Sequence, residues 1–280
     1  MNLRLLRNRI RRLIRLADAA ETPVHFSKYL ASSSGADVTW NYEPVGRDAP
    51  LPVPPRDLWL GYGNNEEEFV SSGYTDVARM AAILLPLGLD LASPNRPVLD
   101  LGCGGGRMIR HLRSAADHTE VWGLDISAHH IGWLKTHLSP PFGFAVNTTI
   151  PHLPFSDGHF GCIYSGSVFT HIDDLAESWF LEVRRVLAPG GLFYCTLHDD
   201  HTRERLLAEP EHPLALSLRN HTYLRRDLTP PDIVITGQTY DSNVYYRERY
   251  LRVMLGPMFE IAAIVPGAYG YQTAWVLRKR

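Results

Sequence analysis

The residues of this chain best suited to move a proton are two histidines and the acids beside one of them. His198 opens the run His198-Asp199-Asp200-His201, and His171 ends the run Ser167-Val168-Phe169-Thr170-His171. Imidazole is the unperturbed side chain that exchanges a proton nearest pH 7. His198 directly follows the apolar run Leu192–Leu197, and His171 follows Phe160–Ser165 after a short loop. Both runs read as strands, and ligands of open α/β sheets bind beyond the carboxyl ends of their strands. His198 is therefore expected as a general base, oriented by Asp199 or Asp200. The same acids suit the N-cap of a helix beginning near Thr202, and at least one is expected to do only that. His171 reads equally as a base or as a residue that fixes its loop. The His-Asp-Asp-His run also raises a metal ion. Adjacent side chains diverge, however, and metal sites draw ligands from separated elements, so none is expected.

A second constellation concerns a cofactor. Val98-Leu99-Asp100-Leu101 is a short apolar run that breaks into Gly102-Cys103-Gly104-Gly105-Gly106, followed by Met108, Ile109 and Leu112 at helical spacing. Strand, tight turn and helix are predicted in that order. Glycines let the backbone turn sharply and approach a ligand, and the helix is expected to aim its free N–H groups and positive dipole end at it. Asp125 closes the next strand, where a carboxylate can accept both hydroxyls of a ribose. Two cofactor classes fit, a nicotinamide dinucleotide and S-adenosylmethionine. The dinucleotide pattern G-x-G-x-x-G is imperfect here, because the third glycine stands one position early.

The elements that must hold these residues follow from periodicity. Strands are predicted at Pro97–Leu101, Glu120–Asp125, Phe142–Val146, Phe160–Ser165 and Leu192–Leu197, and a last pair at Phe259–Ile264 and Thr273–Leu277. The helices alternating with them make a doubly wound, mostly parallel seven-stranded sheet. One helix should start at Ser127. Another should be capped by Asp173 or Asp174 with Glu177 in a capping box, and stop at Pro189-Gly190-Gly191. Before the sheet, a helix is predicted from Thr75 as N-cap to just before Pro86, with Glu66–Glu68 able to begin an earlier one. Residues 198–257 read as an irregular insertion with a helix near Val244–Leu255. Its tyrosines (Tyr223, Tyr240, Tyr245, Tyr246 and Tyr250), with Trp59 and Tyr62, suit either an acceptor wall or half-buried packing.

The chain divides at about residue 60 into an N-terminal arm (1–60) and a main domain (61–280). Residues 1–20 place Arg4, Arg7, Arg11 and Arg15 on one helical face and Leu3, Leu6, Ile10 and Leu13 on another. A helix packed on its own domain or on a second subunit is expected, and docking of residues 1–16 on an anionic membrane or a partner's groove is the alternative. A Pro-rich stretch follows. Apolar residues make up 45% of the 280 and charged residues 21%, with net charge −2, which suits a globular chain and gives no reason to expect nucleic acid as a partner. No apolar run reaches the roughly 18 residues that span a bilayer. A secretory signal is not evident at the start, and three cysteines match no zinc spacing, so a reduced, cytoplasmic location is expected.

VLDLGCGGGR, VWGLDIS, LPFSDGHFGCIYSGSVFTHI and RRVLAPGG resemble, in order and spacing, the successive motifs of the class I, Rossmann-like S-adenosylmethionine-dependent methyltransferases. With looser likenesses the resemblance runs from about Val53 to Lys279. VPPRDLWLGYG and FEIAAIVPGAYGYQTAWVLRK are similar to the lead-in and last strands of a bacterial subgroup that often acts on small molecules or glycans. The resemblance implies a Rossmann-like fold and S-adenosylmethionine as cofactor. Gly102, Cys103 and Gly104 would lie against its methionine part, with Asp100 ordering their loop. Asp125 would hold the ribose, Ile126 the adenine face, Asn147 and Thr148 the adenine edge, and Ser165 would lie beneath. Family members often carry an acid where Asn147 and Thr148 stand. The expected activity is O-methylation of a small or sugar-containing acceptor assisted by His198 or His171. N-methylation and a non-catalytic cofactor-binding partner protein are the alternatives.

Overall fold

The structure, a computed structural model, describes residues 50–92, 96–209, 211–221, 231–237 and 242–280. The basic N-terminal segment, most of the Pro-rich arm, Tyr223 and Tyr240 lie outside the described residues. The strands are β1 (Val98–Leu101), β2 (Val121–Asp125), β3 (Gly143–Val146), β4 (Phe160–Ser165), β5 (Leu187–Leu197), β6 (Ile233–Thr236), β7 (Asn243–Tyr246), β8 (Phe259–Tyr269) and β9 (Gln272–Lys279). Seven of them form one sheet in the order β3-β2-β1-β4-β5-β9-β8. The pairs from β3 through β5 are parallel, and β9 is antiparallel to both its neighbours. The order reverses between β1 and β4, and ligands of doubly wound sheets sit at such a switch point.

Successive strand residues point to opposite faces, and two cores result. Val98, Cys162, Tyr164, Leu192, Tyr194 and Val276 line one. Leu99, Ile163, Phe193, Cys195, Trp275 and Leu277 line the other. Helices α1 (Glu66–Leu84) and α2 (Ala128–His137) cover the first face through Met80, Leu84, Ile131 and Leu134. Helices α3 (Ala176–Val186) and α6 (Glu248–Leu255) cover the second through Phe180, Val183, Leu251 and Leu255. Ser127 caps α2 by accepting from the His130 amide, as expected.

Several expectations need correction. Thr75 does not start a helix. It lies inside α1, its hydroxyl donating to the Ser71 carbonyl at 2.9 Å. The true N-cap is Asn65, whose Oδ1 accepts from the Glu68 amide at 2.9 Å while Glu68 accepts from the Asn64 amide at 2.8 Å. Glu66, Glu67 and Glu68 add negative charge to the first turn, where the dipole favours it. Neither Asp173 nor Asp174 caps α3. Leu175, with φ 61°, holds that position, and Asp174 accepts the Leu175 amide instead. Pro189-Gly190-Gly191 does not stop α3, which ends at Val186; it lies inside β5, beside a register shift against β4.

The insertion is ordered where it is described. It contains α4 (Asp200–Ala208), α5 (Pro213–Arg219) and the β6–β7 hairpin. The helix expected at Val244–Leu255 starts at Glu248, because Asn243–Tyr246 is strand. Val244 and Tyr246 face the sheet core, while Val234 and Tyr245 pack with Leu206 and Leu218 in a small third core.

Candidate functional site

Beyond β1 the chain turns on Gly102, at φ 84°, where a Cβ would collide with the Val168 side chain. The Gly102 and Cys103 amides both donate to the Leu124 carbonyl, at 2.7 and 3.0 Å, which ties the loop to β2. The expected helix does not follow directly. Turns run to a short 3₁₀ segment, Ile109–Leu112, and one helical turn, Arg113–Ala116. A helix dipole aimed at a ligand from directly after the loop is therefore absent among the described residues. Asp100 does not order the loop. It is buried in β1 and accepts from the Tyr164 hydroxyl at 2.9 Å. Burial pushes its carboxyl up to about 7, with Tyr164 opposing. Asp125 does the tying: Oδ2 accepts from the Gly104 amide and Oδ1 from the Ser127 amide, both at 2.8 Å.

The proton-transfer candidates gather past β4 and β5. Ser167 stands at φ 59°, and its amide donates to the Thr196 hydroxyl at 2.7 Å. Thr196 donates to Gln272 Oε1 at 2.6 Å, and Gln272 Nε2 returns to the Ser167 hydroxyl at 2.8 Å. This closed ring locks the loop that carries His171. His171 Nδ1 lies 2.8 Å from the Ser242 carbonyl. A carbonyl only accepts, so Nδ1 carries the proton and Nε2 keeps its lone pair. His171 is exposed.

His198 is buried, and its ring stacks on Tyr245 and Tyr271 with centroids 4.8 and 5.6 Å away. Burial, helped by His171, pushes it down to about 3. The expected His198–Asp199 pair does not form. Asp199 caps α4 through the Thr202 amide at 3.1 Å, and it also accepts from the Thr273 hydroxyl at 2.8 Å and Trp275 Nε1 at 3.3 Å. Asp200 pairs with Arg203 and Arg247. Among the described residues no group of three or more His, Cys, Asp or Glu is arranged to hold a metal ion.

A methyltransferase domain family matches residues 99–195. An uncharacterized methyltransferase of Synechocystis sp. is 37% identical over 134 residues, 47% of this chain and 59% of that protein. The 2-methyl-6-phytyl-1,4-hydroquinone methyltransferase of the same organism is 38% identical over 109 residues, 38% of this chain and 33% of its own. Residues 99–195 thus match a methyltransferase domain. The chain thus spans less than two thirds of the curated relatives it matches. Solved structures share the fold. A Pyrococcus horikoshii protein aligns with TM-score 0.53 at 21% identity over 78% of this chain and 95% of its own. The magnesium protoporphyrin IX methyltransferase of Synechocystis, solved with bound S-adenosylhomocysteine, aligns with TM-score 0.51 at 18% identity over 80% and 92%.

S-adenosylmethionine is the cofactor of this domain, and the residues present suit it. Each Asp125 oxygen accepts one backbone amide, Oδ2 from Gly104 and Oδ1 from Ser127, and keeps capacity for a ribose hydroxyl. Ile126, next in sequence, is 46% exposed, an apolar face available to a base. Asn147 is buried with its amide on the Asp125 carbonyl at 3.0 Å, and its Oδ1 has no hydrogen-bond partner among the described residues. The same is true of the Ser165 hydroxyl at the end of β4. Thr148 spends its hydroxyl on Ile150, closing its own turn. The Cys103 thiol turns into the core toward Gly123. Residues 58–63 include Trp59 and Tyr62, which the sequence suits to an acceptor wall or to half-buried packing. In the structure they lie on the loop: a Cβ at Gly105 would touch the Leu58 carbonyl, and one at Gly104 would lie 3.0 Å from Leu60. Tyr62 there and Tyr269 at the β8–β9 turn join Arg107 in a cluster that periodicity could not reveal, since it joins positions far apart in the chain.

Proposed function

We propose that this chain transfers a methyl group from S-adenosylmethionine to a hydroxyl of a small or sugar-containing acceptor, with His171 as the base. The observation that carries the choice of base is the His171 Nδ1 contact to the Ser242 carbonyl, which leaves Nε2 as an exposed proton acceptor. His198 is neutral across the physiological range and makes a weak base at about 3. Its place is in the wall beside the acceptor, with Tyr245 and Tyr271.

The cofactor supplies a methyl group already activated by positive sulfur. The protein's work is alignment, exclusion of water and removal of one proton. Asp125 and the glycine loop would hold the donor. The Ser167–Thr196–Gln272 ring holds the His171 loop over β4 and β5, so that a hydroxyl between the two is deprotonated as it attacks. Malonyl-[acyl-carrier protein] O-methyltransferases are among the relatives; that of Erwinia billingiae is 34% identical over 109 residues. The test is product formation from labelled S-adenosylmethionine across matched hydroxyl and amine acceptors. Turnover of hydroxyl acceptors that falls about 100-fold in His171→Asn, with donor affinity retained, is expected. Turnover confined to amines, or a fully active His171→Asn, overturns the reading.

A further inference from the structure

We propose that the amino-terminal end of the sheet carries a second ligand site, which takes the phosphate of a small hydroxylated phosphate monoester between Arg96 and Arg278. The site begins with a break in strand pairing. Phe160 pairs with Leu187 and Cys162 with Leu192, so residues 188–191 of β5 stand opposite Gly161 alone. Extra backbone on one strand bends it away from its partner, and a cavity of about 300 Å³ lies along this bulge. That volume suits a small metabolite. The turn after α1, from Leu87 to Asp90, forms the facing wall. Arg96 leads into β1. Arg278 pairs with Leu192 from β9, which is antiparallel to β5. Both therefore stand at the end of the sheet opposite the glycine loop and His171.

The class of ligand follows from the lining groups. The Arg96 stem runs along Gly161, where a Cβ would lie 2.6 Å from the Arg96 Cβ and 3.5 Å from its Cδ. Arg278 spans the two walls, donating to the Gly190 carbonyl at 3.3 Å and the Leu87 carbonyl at 2.9 Å. Those acceptors are neutral, and neither guanidinium has an acidic partner among the described residues. Asp90 is the one carboxylate in the lining and accepts the Ala92 amide at 2.8 Å. Burial pushes the Cys162 thiol up to about 12, so it stays neutral. The cavity thus keeps a net positive charge. The amides of Gly88, Leu89 and Gly161 are spent on the Leu85, Leu84 and Pro97 carbonyls, so the guanidiniums carry the recognition. One guanidinium fork satisfies a carboxylate, whereas the three free oxygens of a phosphate monoester can take two forks. Asp90 keeps acceptor capacity for a ligand hydroxyl.

The test titrates α-glycerophosphate, inorganic phosphate and glycerol into the full chain, isotope-labelled at glycine, and follows the amide signals by NMR. Saturable shifts at Gly161, Gly190 and Gly191 are expected with α-glycerophosphate, weaker binding with inorganic phosphate, and none with glycerol. Added salt should weaken both phosphates, because the charges are open to solvent. Arg96→Gln keeps the stem over Gly161 and removes the charge. It should weaken α-glycerophosphate about tenfold, as expected for losing a hydrogen bond to a charged group, with the melting temperature unchanged. Arg278→Lys keeps the charge, loses the fork and should weaken it severalfold. No saturable shift at millimolar ligand, shifts confined to Gly102–Gly106, or full affinity in Arg96→Gln overturns the site. Equal affinity for inorganic phosphate overturns the assignment of a hydroxylated ester.

Discussion

Asp125 carries two kinds of connection on one carboxylate. Its contacts to the Gly104 and Ser127 amides shape the loop and start α2, and each oxygen keeps capacity for a further donor. Asp125→Ala should therefore weaken S-adenosylhomocysteine by about 100-fold, since charge-assisted bonds to the ribose and the loop's own tie are lost together. Calorimetry reads this directly, and unchanged affinity rejects the ribose role. The place of Asp125 was legible because it closes the second strand, which the sheet sets beside the glycine loop. The partners of Asp199 were not legible. Asp199 is adjacent to His198 in sequence, yet an N-cap points its side chain back at the helix amides, and β9 brings Thr273 and Trp275 to it. Adjacency along a chain says little about which way neighbouring side chains turn.

At the scale of elements, α1 shows where periodicity misleads. Thr75 looks like an N-cap, and Glu66–Glu68 like the start of an earlier helix. The helix runs straight through because Gly73 is buried against the backbone of Arg107: a Cβ there would come within 2.9 Å of the Arg107 carbonyl carbon and closer still to its oxygen. Mid-helix glycine normally costs about 1 kcal/mol relative to alanine. Here the sign should reverse. Gly73→Ala is expected to destabilise the protein by about 1–3 kcal/mol, the usual cost of forcing volume into a packed contact, and to loosen the Arg107 cluster. Thermal or urea unfolding checks it, and a stabilised variant shows that α1 can move away from the loop. The strands of the main sheet were legible from their apolar runs to within a few residues, except that β5 and β8 extend further. The β6–β7 hairpin was not, because four-residue strands in an aromatic stretch leave no period to count.

Across the whole molecule the seven-stranded sheet separates two cores, and this doubly wound plan was readable from the alternation of strand and helix signals. What the pattern could not convey is that β1 buries a carboxylate between neighbours it can barely satisfy. Among the described residues Asp100 has one hydrogen bond, from Tyr164, and the Asp125 charge opposes its ionisation. Burial holds it at about 7, against 3.8 for the free group. The folded state therefore binds more protons than the unfolded one between about pH 4 and 7, and stability falls as pH rises through that window. This group's contribution is fully present below about pH 4, lost as pH passes about 7, and flat above. Asp100→Asn keeps an oxygen for the Tyr164 hydroxyl and removes the titration. Relative to the unmodified protein, its melting temperature should therefore climb as pH is raised from 4.5 to 7.5 and then hold steady. A difference that stays constant over that range means Asp100 ionises at an ordinary carboxylate pKa, with the sheet more open to water at the glycine loop than its burial implies.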